Sequence, residues 1–448
     1  MSHISIDFSK NAGNIKAMHA VNNGPSGSKV RVVNNTFDAY AQLNIPYARN
    51  HDASFYDPYG GEHTVDVHRI FKRFEADVND PASYDFEMTD MYNQDILSVG
   101  TKPYYRLGAS IEHHKKYGTV PPKDFHKWAQ ICEHIIRHYN EGWADGFHQE
   151  IEYWEIWNEP DCRNADGSNP CWQGTNEEFV EFFSTAFTYL KTTFPALKIG
   201  GPAICFINDE SEAFIRQIFD ALKEKGMKPD FFSFHGYKDV PEKFIRDCDR
   251  VYGILQDYGW QDTVELHLNE WNYIRGWMGE DFTYSMNAVI GLKGSSFTAA
   301  TMCAGQRSPL HMMMYYDARP CSFNGLFQGG KKCKSYYSFY SFGKLYKMGT
   351  CIASSTDDEN IYCVAAKDDN TKAFLVTHYN DDDSAAAKEV AVELQNAAMG
   401  DVFRVNYYLL DESHDLSLLR SDKVTVQDFT LYLNMPVHTS YYIEITKV

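Results

Sequence analysis

The chain has 448 residues and a formal net charge of −19 at pH 7. That length exceeds one typical domain and accommodates an α/β barrel of about 250 to 340 residues with a small second domain. The acidic balance argues against nucleic acid or an anionic membrane as a partner, since both attract basic patches. No stretch approaches the ~18 consecutive apolar residues of a membrane span.

The N-terminal residues show neither the basic region nor the apolar stretch of a secretion signal. We therefore expect a cytoplasmic protein, or a secreted or periplasmic one from which a signal has been removed. Within residues 1–14, the isolated apolar run 3–8 has no helix after it. We expect this segment to add a strand to a C-terminal β-sandwich.

From residue 15 to 345, short apolar runs alternate with stretches of helical period, a pattern typical of βα units around a parallel sheet. Eight strands are predicted, at residues 15–21, 44–49, 102–107, 152–157, 197–201, 230–235, 263–269 and 310–316. Helices are predicted between them, among them 123–139, 176–194, 210–226 and 241–258. The helix from Asn176 begins with a capping residue and two acids.

These units predict a catalytic (β/α)₈ barrel over residues 15–345. Glu159 and Glu270 lie 111 residues apart (270 − 159), or three units of about 37, close to the ~31 residues per unit of a typical barrel. This spacing implies strands four and seven, whose ends face each other across the barrel mouth. The alternative is an open doubly wound sheet, which usually carries a glycine-rich phosphate loop that is missing here.

After residue 345 the pattern changes to short strand-like runs separated by turns, of which 380–383 is the clearest. The runs lie at residues 361–367, 373–379, 389–394, 402–409, 424–431 and 438–447. Strands at this spacing predict an accessory β-sandwich domain over residues 346–448.

The ten cysteines form no CxxC pair, so we expect no zinc site and mostly reduced, buried thiols. Cys162 and Cys171 bracket a polar loop, which a disulfide could close in an oxidised preparation. The pairs His113–His114 and Glu62–His63 have no full ligand set nearby, and we interpret them as solvated loop residues. The sequence therefore predicts no metal and no cofactor.

Glu159 lies in the motif Trp-Asn-Glu-Pro, where proline ends a strand-like run. Glu270 ends a second such run, beside Trp271. Retaining glycoside hydrolysis needs one carboxylate as nucleophile and one carboxylic acid that later acts as base. Apolar rings beside Glu159 would raise its pKa, which suits the acid/base, and Glu270 would be the ionised nucleophile. Each glutamate taken alone is also compatible with a cap or a surface position.

Other polar and aromatic side chains at the strand ends are candidates for substrate binding. Asn158 is suited to the sugar's 2-hydroxyl and Tyr237 to donation toward the nucleophile. The alternative for Arg49, His51 and His235 is a buried structural role. The predicted set is Asn158, His235, Tyr237, Arg49, His51, Trp157, Trp271 and Asp317, with weaker candidates His19, Asn22, Asn23, Tyr316 and Arg319 and further loop aromatics Tyr56, Tyr59, Trp172, Tyr273 and Trp277.

Over most of its length the chain resembles glycoside hydrolase family 39, the family of β-xylosidases and α-L-iduronidases within a clan of retaining (β/α)₈ enzymes. Four motifs carry the resemblance: Arg49-Asn50-His51, Trp157-Asn158-Glu159-Pro160, Phe234-His235-Gly236-Tyr237 and Asn269-Glu270-Trp271. The resemblance implies Glu159 as acid/base, Glu270 as nucleophile, and a C-terminal β-sandwich joined by N-terminal residues. The third strand departs from the family pattern, with Tyr105-Arg106-Leu107-Gly108 in place of a Glu-Leu-Gly-like stretch.

We therefore predict a retaining exo-glycosidase, a β-xylosidase in the first place, that acts on an oligosaccharide or glycoside. The alternatives are another family 39 specificity, such as an α-L-arabinosidase or a side-chain glycosidase, and a barrel that binds carbohydrate without catalysis. An iduronidase is less attractive, because a uronate needs a basic pocket that the sequence does not identify.

Overall fold

The computed structural model describes residues 1–27, 34–52, 63–112, 116–319 and 321–448. After strand β1 (Ser2–Asn14), eight strands pair in parallel and close into a barrel in chain order. They are β2 (Ala17–Asn22), β3 (Tyr47–Arg49), β4 (Lys102–Leu107), β5 (Tyr153–Ile156), β6 (Lys198–Ile204), β7 (Phe231–Lys238), β8 (Glu265–Tyr273) and β9 (Met312–Tyr315). Each overlaps a predicted strand, and the predicted barrel is confirmed.

Ten α-helices and a 3₁₀ turn (Pro81–Ser83) are found in the described ranges. The helices are α1 (Phe37–Ala41), α2 (Val67–Ile70), α3 (Glu87–Ser98), α4 (Phe125–Glu141), α5 (Asn176–Thr193), α6 (Asp209–Glu224), α7 (Pro241–Tyr258), α8 (Gly279–Ala288), α9 (Leu292–Arg307) and α10 (Lys334–Met348). None of these helices is both long and apolar enough to cross a membrane.

The cap of helix α5 is Thr175, one residue before the predicted cap Asn176. The hydroxyl of Thr175 accepts from the backbone N–H of Glu178 at 3.1 Å, and the Glu178 carboxylate accepts from the backbone N–H of Thr175 at 2.7 Å. This reciprocal pair is a capping box, which satisfies two N–H groups that the helix leaves unbonded. Asn176 is therefore the first helical residue and not the cap predicted from the sequence.

The inside of the barrel is mostly apolar at its lower end, where His267 stacks on Phe231, and polar above. Six apolar side chains fill the lower layer: Ala20, Tyr104, Tyr153, Phe231, Met312 and Met314. Because strand residues alternate between the inside and the helices, the next inward positions carry polar groups such as Glu155 and Ser233, both fully buried. The polar layer thus lies toward the carboxyl ends of the strands, where barrel active sites occur.

The remaining strands are the two-residue pair β10 (Phe327–Gln328) and β11 (Lys331–Lys332), and a larger set. The larger set is β12 (Thr350–Thr356), β13 (Ile361–Lys367), β14 (Thr371–His378), β15 (Lys388–Gln395), β16 (Phe403–Leu410), β17 (Asp415–Val424), β18 (Phe429–Met435) and β19 (Ser440–Lys447). With β1 they form one nine-stranded sheet in the order β17-β16-β19-β14-β13-β12-β1-β15-β18. Strands from both ends of this order share one apolar core, as the two layers of a sandwich do.

Two details of this sheet differ from the sequence prediction. Strand β12 was not predicted, and the run 424–431 is not one strand, because β17 ends at Val424 and β18 begins at Phe429. Strand β1 pairs antiparallel with β12 and parallel with β15. The predicted boundary at residue 346 falls in the last turn of α10.

A loop of the nine-stranded sheet docks against the barrel. The Tyr273 hydroxyl donates to Asp381 Oδ1 at 2.7 Å, at the end of β8. The ammonium of Lys293 on α9 lies 2.9 Å from both Asp381 Oδ1 and Asp383 Oδ1, and His438 Nε2 lies 3.0 Å from the same Asp383 oxygen. The sheet is therefore joined by a hydrogen bond to the strand that carries Glu270 and by ion pairs to α9.

Candidate active site

Strand β7 supplies side chains to the mouth of the barrel by simple alternation. Ser233, His235 and Tyr237 occupy every second position, while Phe232 packs outward on a helix. Ser233 and His235 are fully buried, and Tyr237 lies nearer the rim. The predicted common orientation of His235 and Tyr237 is observed.

Strand β8 contains a β-bulge at Asn269, where its pairing with β7 shifts by one residue. In a regular strand Asn269 and Glu270 would face opposite sides. Here both reach into the barrel: Asn269 Nδ2 donates to Glu155 Oε1 at 2.5 Å, and Glu270 Oε1 accepts from Arg49 at 2.8 Å. The bulge therefore turns the Glu270 carboxylate into the mouth.

Arg49 is fully buried and bonds to four side chains at once. Its Nε donates to Glu155 Oε2 at 2.6 Å, and its Nη1 donates to Glu270 Oε1 at 2.8 Å and to Asn22 Oδ1 at 3.1 Å. Its Nη2 donates to Asn158 Oδ1 at 2.7 Å. A guanidinium presents a rigid set of donors, so Arg49 fixes the positions of the Glu270 carboxylate and the Asn158 amide relative to each other.

Glu270 accepts hydrogen bonds on both carboxylate oxygens. Besides Arg49, the Tyr237 hydroxyl donates to Oε2 at 2.7 Å, and His51 Nε2 lies 3.3 Å from Oε1. The side chain is 5% exposed, and burial raises the pKa of Glu270 to about 7 although His235 and Arg49 oppose that rise. The donors favour the ionised form of this carboxyl group.

Glu159 lies three residues beyond β5, and its backbone N–H donates to Ala203 O at 2.9 Å. Its Oε1 lies 2.8 Å from His235 Nδ1, and its Oε2 lies 3.9 Å from the thiol of Cys171. Burial, followed by the nearby Cys162 thiol, raises the pKa of Glu159 to about 8. Burial also lowers the pKa of His235 to about 4, so its contact with Glu159 is a hydrogen bond of a neutral imidazole.

The two glutamates face each other with His235 between them. One oxygen of Glu159, one oxygen of Glu270 and a ring nitrogen of His235 lie within 4.8 Å of one another. His235 Nδ1 is also 3.5 Å from Glu270 Oε2. Two carboxyl groups at such a distance, one with more donors than the other, form a pair in which one holds a proton while the other is ionised.

These features were compared with known proteins. Residues 38–245 match the family described as glycosyl hydrolases family 39. This segment, a little under half of the chain, is similar to glycoside hydrolase family 39. It is 27% identical over 233 residues to the β-xylosidase of Geobacillus stearothermophilus, an alignment that covers 45% of this chain. The matched region spans 44% of that curated relative's length.

Solved structures share the fold over the whole chain. A glucosidase from Croceicoccus marinus superposes with a TM-score of 0.81 at 23% identity, covering 100% of this chain and 99% of the other. A monomeric β-xylosidase from Caulobacter crescentus CB15 gives a TM-score of 0.71 at 15% identity, with 100% of each chain covered. The similarity to these solved structures therefore extends over both the barrel and the second sheet.

Of two further predicted residues, His51 contacts Glu270, whereas Asp317 bonds elsewhere. His51 Nε2 is 3.3 Å from both Glu270 Oε1 and Asp52 Oδ2, and burial followed by the charge of Arg49 lowers the pKa of His51. Asp317 is buried; its Oδ2 accepts from Asn23 at 2.9 Å, and no contact with either glutamate is recorded within the described residues. Burial raises the pKa of Asp317 to about 6.

Trp157 and Trp271 pack into the wall of the barrel. Trp157 is 1% exposed, lies edge-on to Trp172 and donates its indole N–H to Cys171 O at 3.0 Å. Trp271 is fully buried against Tyr315 and against a phenylalanine of α9. Neither ring has an open face, which argues against the sugar-stacking role predicted from the sequence.

Some sequence predictions lie outside the described residues, namely those for Tyr56, Tyr59, Glu62, His113 and His114. Sequence reasoning did not identify Glu155 as a site residue, although it accepts from Arg49, Ser233 and Asn269. It also did not identify Cys205 beside Glu159. The position of Glu155 within an apolar strand was a usable signal for it. The approach of Cys205 to Glu159 depends on how two loops fold, and the sequence shows no pattern that predicts it.

Proposed function

We propose that the protein is a retaining exo-glycoside hydrolase in which Glu159 is the acid/base and Glu270 the nucleophile. The observation that carries this proposal is the facing pair of carboxyl groups, with oxygens within 4.8 Å of each other. Retaining enzymes hold these groups about 5 to 5.5 Å apart, while inverting enzymes leave about 6.5 to 9.5 Å for a water molecule. The short separation supports double displacement.

In the first step, Glu159 donates its proton to the glycosidic oxygen and Glu270 attacks the anomeric carbon. The raised pKa of Glu159, caused mainly by burial, keeps that proton available at neutral pH. Donation from Arg49 and Tyr237 to Glu270 holds its carboxylate oriented for attack. The products are the released leaving group and a glycosyl ester on Glu270.

In the second step, Glu159 is ionised and takes a proton from a water molecule that attacks the same anomeric carbon. The bond to Glu270 breaks, and the sugar leaves with its original configuration. His235 donates to or accepts from Glu159 through Nδ1 at 2.8 Å. We propose that it orients this carboxyl group in both of its protonation states.

Asn158 and His51 are proposed to contact the sugar bound against Glu270. Because Arg49 engages Asn158 through Oδ1, the amide nitrogen remains as the donor end. Such a donor suits the sugar's 2-hydroxyl, a contact that strengthens as positive charge develops in the transition state. This bond would contribute to kcat more than to KM.

The sugar we propose is β-D-xylose, because the matched relative from Geobacillus and the Caulobacter structure are both named as β-xylosidases. A β-glucosidase is the second candidate, since the Croceicoccus structure with the TM-score of 0.81 is named a glucosidase. The two sugars differ by one hydroxymethyl group. Comparing kcat/KM for aryl β-xyloside, β-glucoside, α-L-arabinoside and β-galactoside separates the candidates.

The mechanism is tested with Glu270→Ala. We expect kcat to fall by roughly 10³-fold or more, because no glycosyl ester forms. Azide should restore turnover of an activated aryl glycoside and give a glycosyl azide of inverted configuration. The control is Glu265→Gln, at the opposite end of the same strand, which should leave kcat near that of the original protein.

Unchanged activity in Glu270→Ala would overturn the assignment, as would an azide product of retained configuration. Silence of the original protein on all four aryl glycosides, together with measurable oligosaccharide binding, would favour a carbohydrate-binding barrel instead. Fold and motif alone do not establish catalysis.

A further inference from the structure

Three cysteines from two loops meet on one side of Glu159. Cys162 follows Glu159 by three residues, and its backbone N–H donates to Glu159 O at 3.1 Å. Cys205 follows β6, and its backbone N–H donates to Asp161 Oδ1 at 2.9 Å. Cys171 is fully buried, and its Sγ lies 3.9 Å from Glu159 Oε2. The mechanism proposed above uses none of these thiols.

Hydrogen bonds between side chains and backbone groups hold the segments that carry the three thiols in place. Asn169 Nδ2 donates to Pro160 O at 2.6 Å, and Asn169 Oδ1 accepts from the backbone N–H of Cys171 at 2.8 Å and of Trp172 at 2.9 Å. This bridge fixes the segment that carries Cys162 and Cys171. The hydrogen bond from the Cys205 backbone N–H to Asp161 joins this segment to the loop after β6. The relative positions of the three cysteines are therefore set by several hydrogen bonds and not by one flexible side chain.

We propose that Glu159, Cys162 and Cys205, with Cys171 beside them, form a binding site for a thiophilic divalent cation such as Zn²⁺, whose occupancy blocks Glu159. One oxygen of Glu159 and the sulfurs of Cys162 and Cys205 lie within 4.8 Å of one another. Tetrahedral zinc with Zn–S bonds of about 2.3 Å requires sulfurs about 3.8 Å apart. The donors therefore need to approach by at most about 1 Å per pair.

The charges near the cysteines favour metal binding by Glu159, Cys162 and Cys205 over binding by a second group of donors. Glu159, His235 and Glu270 also present donor atoms within 4.8 Å of one another, but Glu270 already binds the guanidinium of Arg49 at 2.8 Å, which would repel a dication. The thiol set lies beside the carboxylate of Asp161. The Arg163 guanidinium is near as well, yet it donates to the carbonyl oxygen of Cys162 at 2.8 Å.

Metal binding would take Glu159 out of the reaction. Cysteine binds zinc as the thiolate, so each thiol that binds releases its proton to solvent. While Glu159 is a ligand it cannot carry the proton that the first step of hydrolysis requires.

Metal binding is tested first without reference to activity. The full-length, chelator-treated protein is titrated with Co²⁺, whose thiolate complexes show a charge-transfer band and whose visible bands are intense in tetrahedral sites. We expect one equivalent to bind with both signatures. Cys162→Ser and Cys205→Ser should each weaken binding by about 10- to 100-fold or more. The matched control Cys333→Ser removes a half-buried thiol at the start of α10 and should bind Co²⁺ as the original protein does.

Inhibition is tested second, and this half rests on the proposed glycosidase activity. Zn²⁺ should inhibit aryl glycoside hydrolysis, and a chelator should reverse the inhibition. Each variant is compared with its own rate in chelator, and inhibition of Cys162→Ser should need at least about tenfold more Zn²⁺. If the protein hydrolyses no glycoside but shows the Co²⁺ thiolate band, the site stands and the proposed function fails.

Two results would overturn the proposal. The first is the absence of a Co²⁺ thiolate band in the original protein. The second is equal zinc inhibition of the original protein and both serine variants, which would assign the metal to Glu159, His235 and Glu270. If Cys205→Ser does not fold, Cys162→Ser can be used alone, because Cys162 is partly exposed. Zn²⁺ should then raise the Tm of the original protein but not that of Cys162→Ser, and an equal rise in both would overturn the proposal.

Discussion

The guanidinium of Arg49 bonds to Glu155, Glu270 and Asn158 at the same time. One cation thus lies between two buried carboxylates, and the arrangement holds only while all partners stay in place, because an unpaired charge in the barrel interior is costly. A lysine has a single point charge and no planar set of donors. The identity of residue 49 therefore matters to the site as much as its charge.

The proposed roles of the two glutamates predict a bell-shaped pH dependence of kcat/KM. Glu270, as the proposed nucleophile, would act when ionised, so activity should fall as pH drops through its pKa of about 7. Glu159, as the proposed acid, would act when protonated, so activity should also fall as pH rises through its pKa of about 8. Initial rates with an aryl glycoside measure this profile. A substrate with a good leaving group needs less protonation and should flatten the alkaline limb; an unchanged limb would argue against Glu159 as the acid.

Tyr237→Phe removes the hydroxyl that donates to Glu270 at 2.7 Å. A hydrogen bond to a charged group contributes about 1.5 to 3 kcal/mol, so kcat/KM should fall by about 10- to 100-fold. The acid limb of the pH profile should move to higher pH, because the lost donor favoured the ionised carboxylate. Tyr273→Phe, whose hydroxyl bonds to Asp381, is the control and should leave the acid limb in place.

Several site residues were predictable because they follow from strand alternation. His235 and Tyr237 are two residues apart on one strand, so a single orientation places both in the mouth. The predicted sugar-binding role of Trp157 and Trp271 fits the structure less well. An aromatic ring next to a candidate catalytic residue in the sequence suggests stacking on a sugar, whichever face of the strand the ring occupies. The structure directs both rings into the wall. Sequence alone does not fix that orientation at a strand end.

At the scale of elements, the bulge at Asn269 is the feature that sequence reasoning could not supply. An extra residue in one strand leaves no mark in the hydrophobic pattern, yet it determines which face the Glu270 side chain occupies. Helices were easier to predict where caps and apolar period agree. Helix α7 was placed with both its bounds correct, since Pro241 begins it and Gly259 follows it in a left-handed conformation.

The start of α5 gives a prediction that distinguishes the observed cap from the predicted one. Thr175→Ala should lower the free energy of unfolding by about 1 kcal/mol, because it removes the hydroxyl that accepts from the Glu178 N–H. Asn176→Ala should cost less, since among the described residues that side chain accepts a hydrogen bond only from the exposed Arg163. Urea unfolding followed by circular dichroism measures both. A larger loss for Asn176→Ala would contradict the capping box.

At the scale of the whole molecule, the barrel was predictable from eight regularly spaced strands, and the second sheet only in part. Its order, in which β1 lies between β12 and β15, rests on pairings between residues more than 300 positions apart. No local pattern encodes such a pairing. The missed strand β12 alternates weakly between buried and exposed residues, so its sequence resembles a loop.

The docking of the sheet on the barrel predicts that Lys293 stabilises the molecule. It is 6% exposed and lies 2.9 Å from carboxylate oxygens of Asp381 and Asp383. Lys293→Ala would remove the buried cation shared by two neighbouring carboxylates, and only Asp381 would keep another guanidinium, that of Arg275 at 3.4 Å. The free energy of unfolding should fall by about 2 kcal/mol, less than for a fully buried pair because Asp383 is half exposed. Chemical denaturation measures the loss. The exposed Lys347 is the control, and its replacement by alanine should change stability by less than about 0.5 kcal/mol.

Strand β1 also constrains the order in which a ribosome can deliver a finished protein. Residues 2–14 emerge first, but their hydrogen-bonding partners lie at 350–356 and 390–395. At about 5 to 20 residues per second, the apolar side chains of Ile4, Ile6 and Phe8 wait roughly 20 to 70 s for those partners. During that interval the barrel can close around its own core, while the first strand keeps exposed apolar side chains and unpaired backbone groups until translation has passed residue 395.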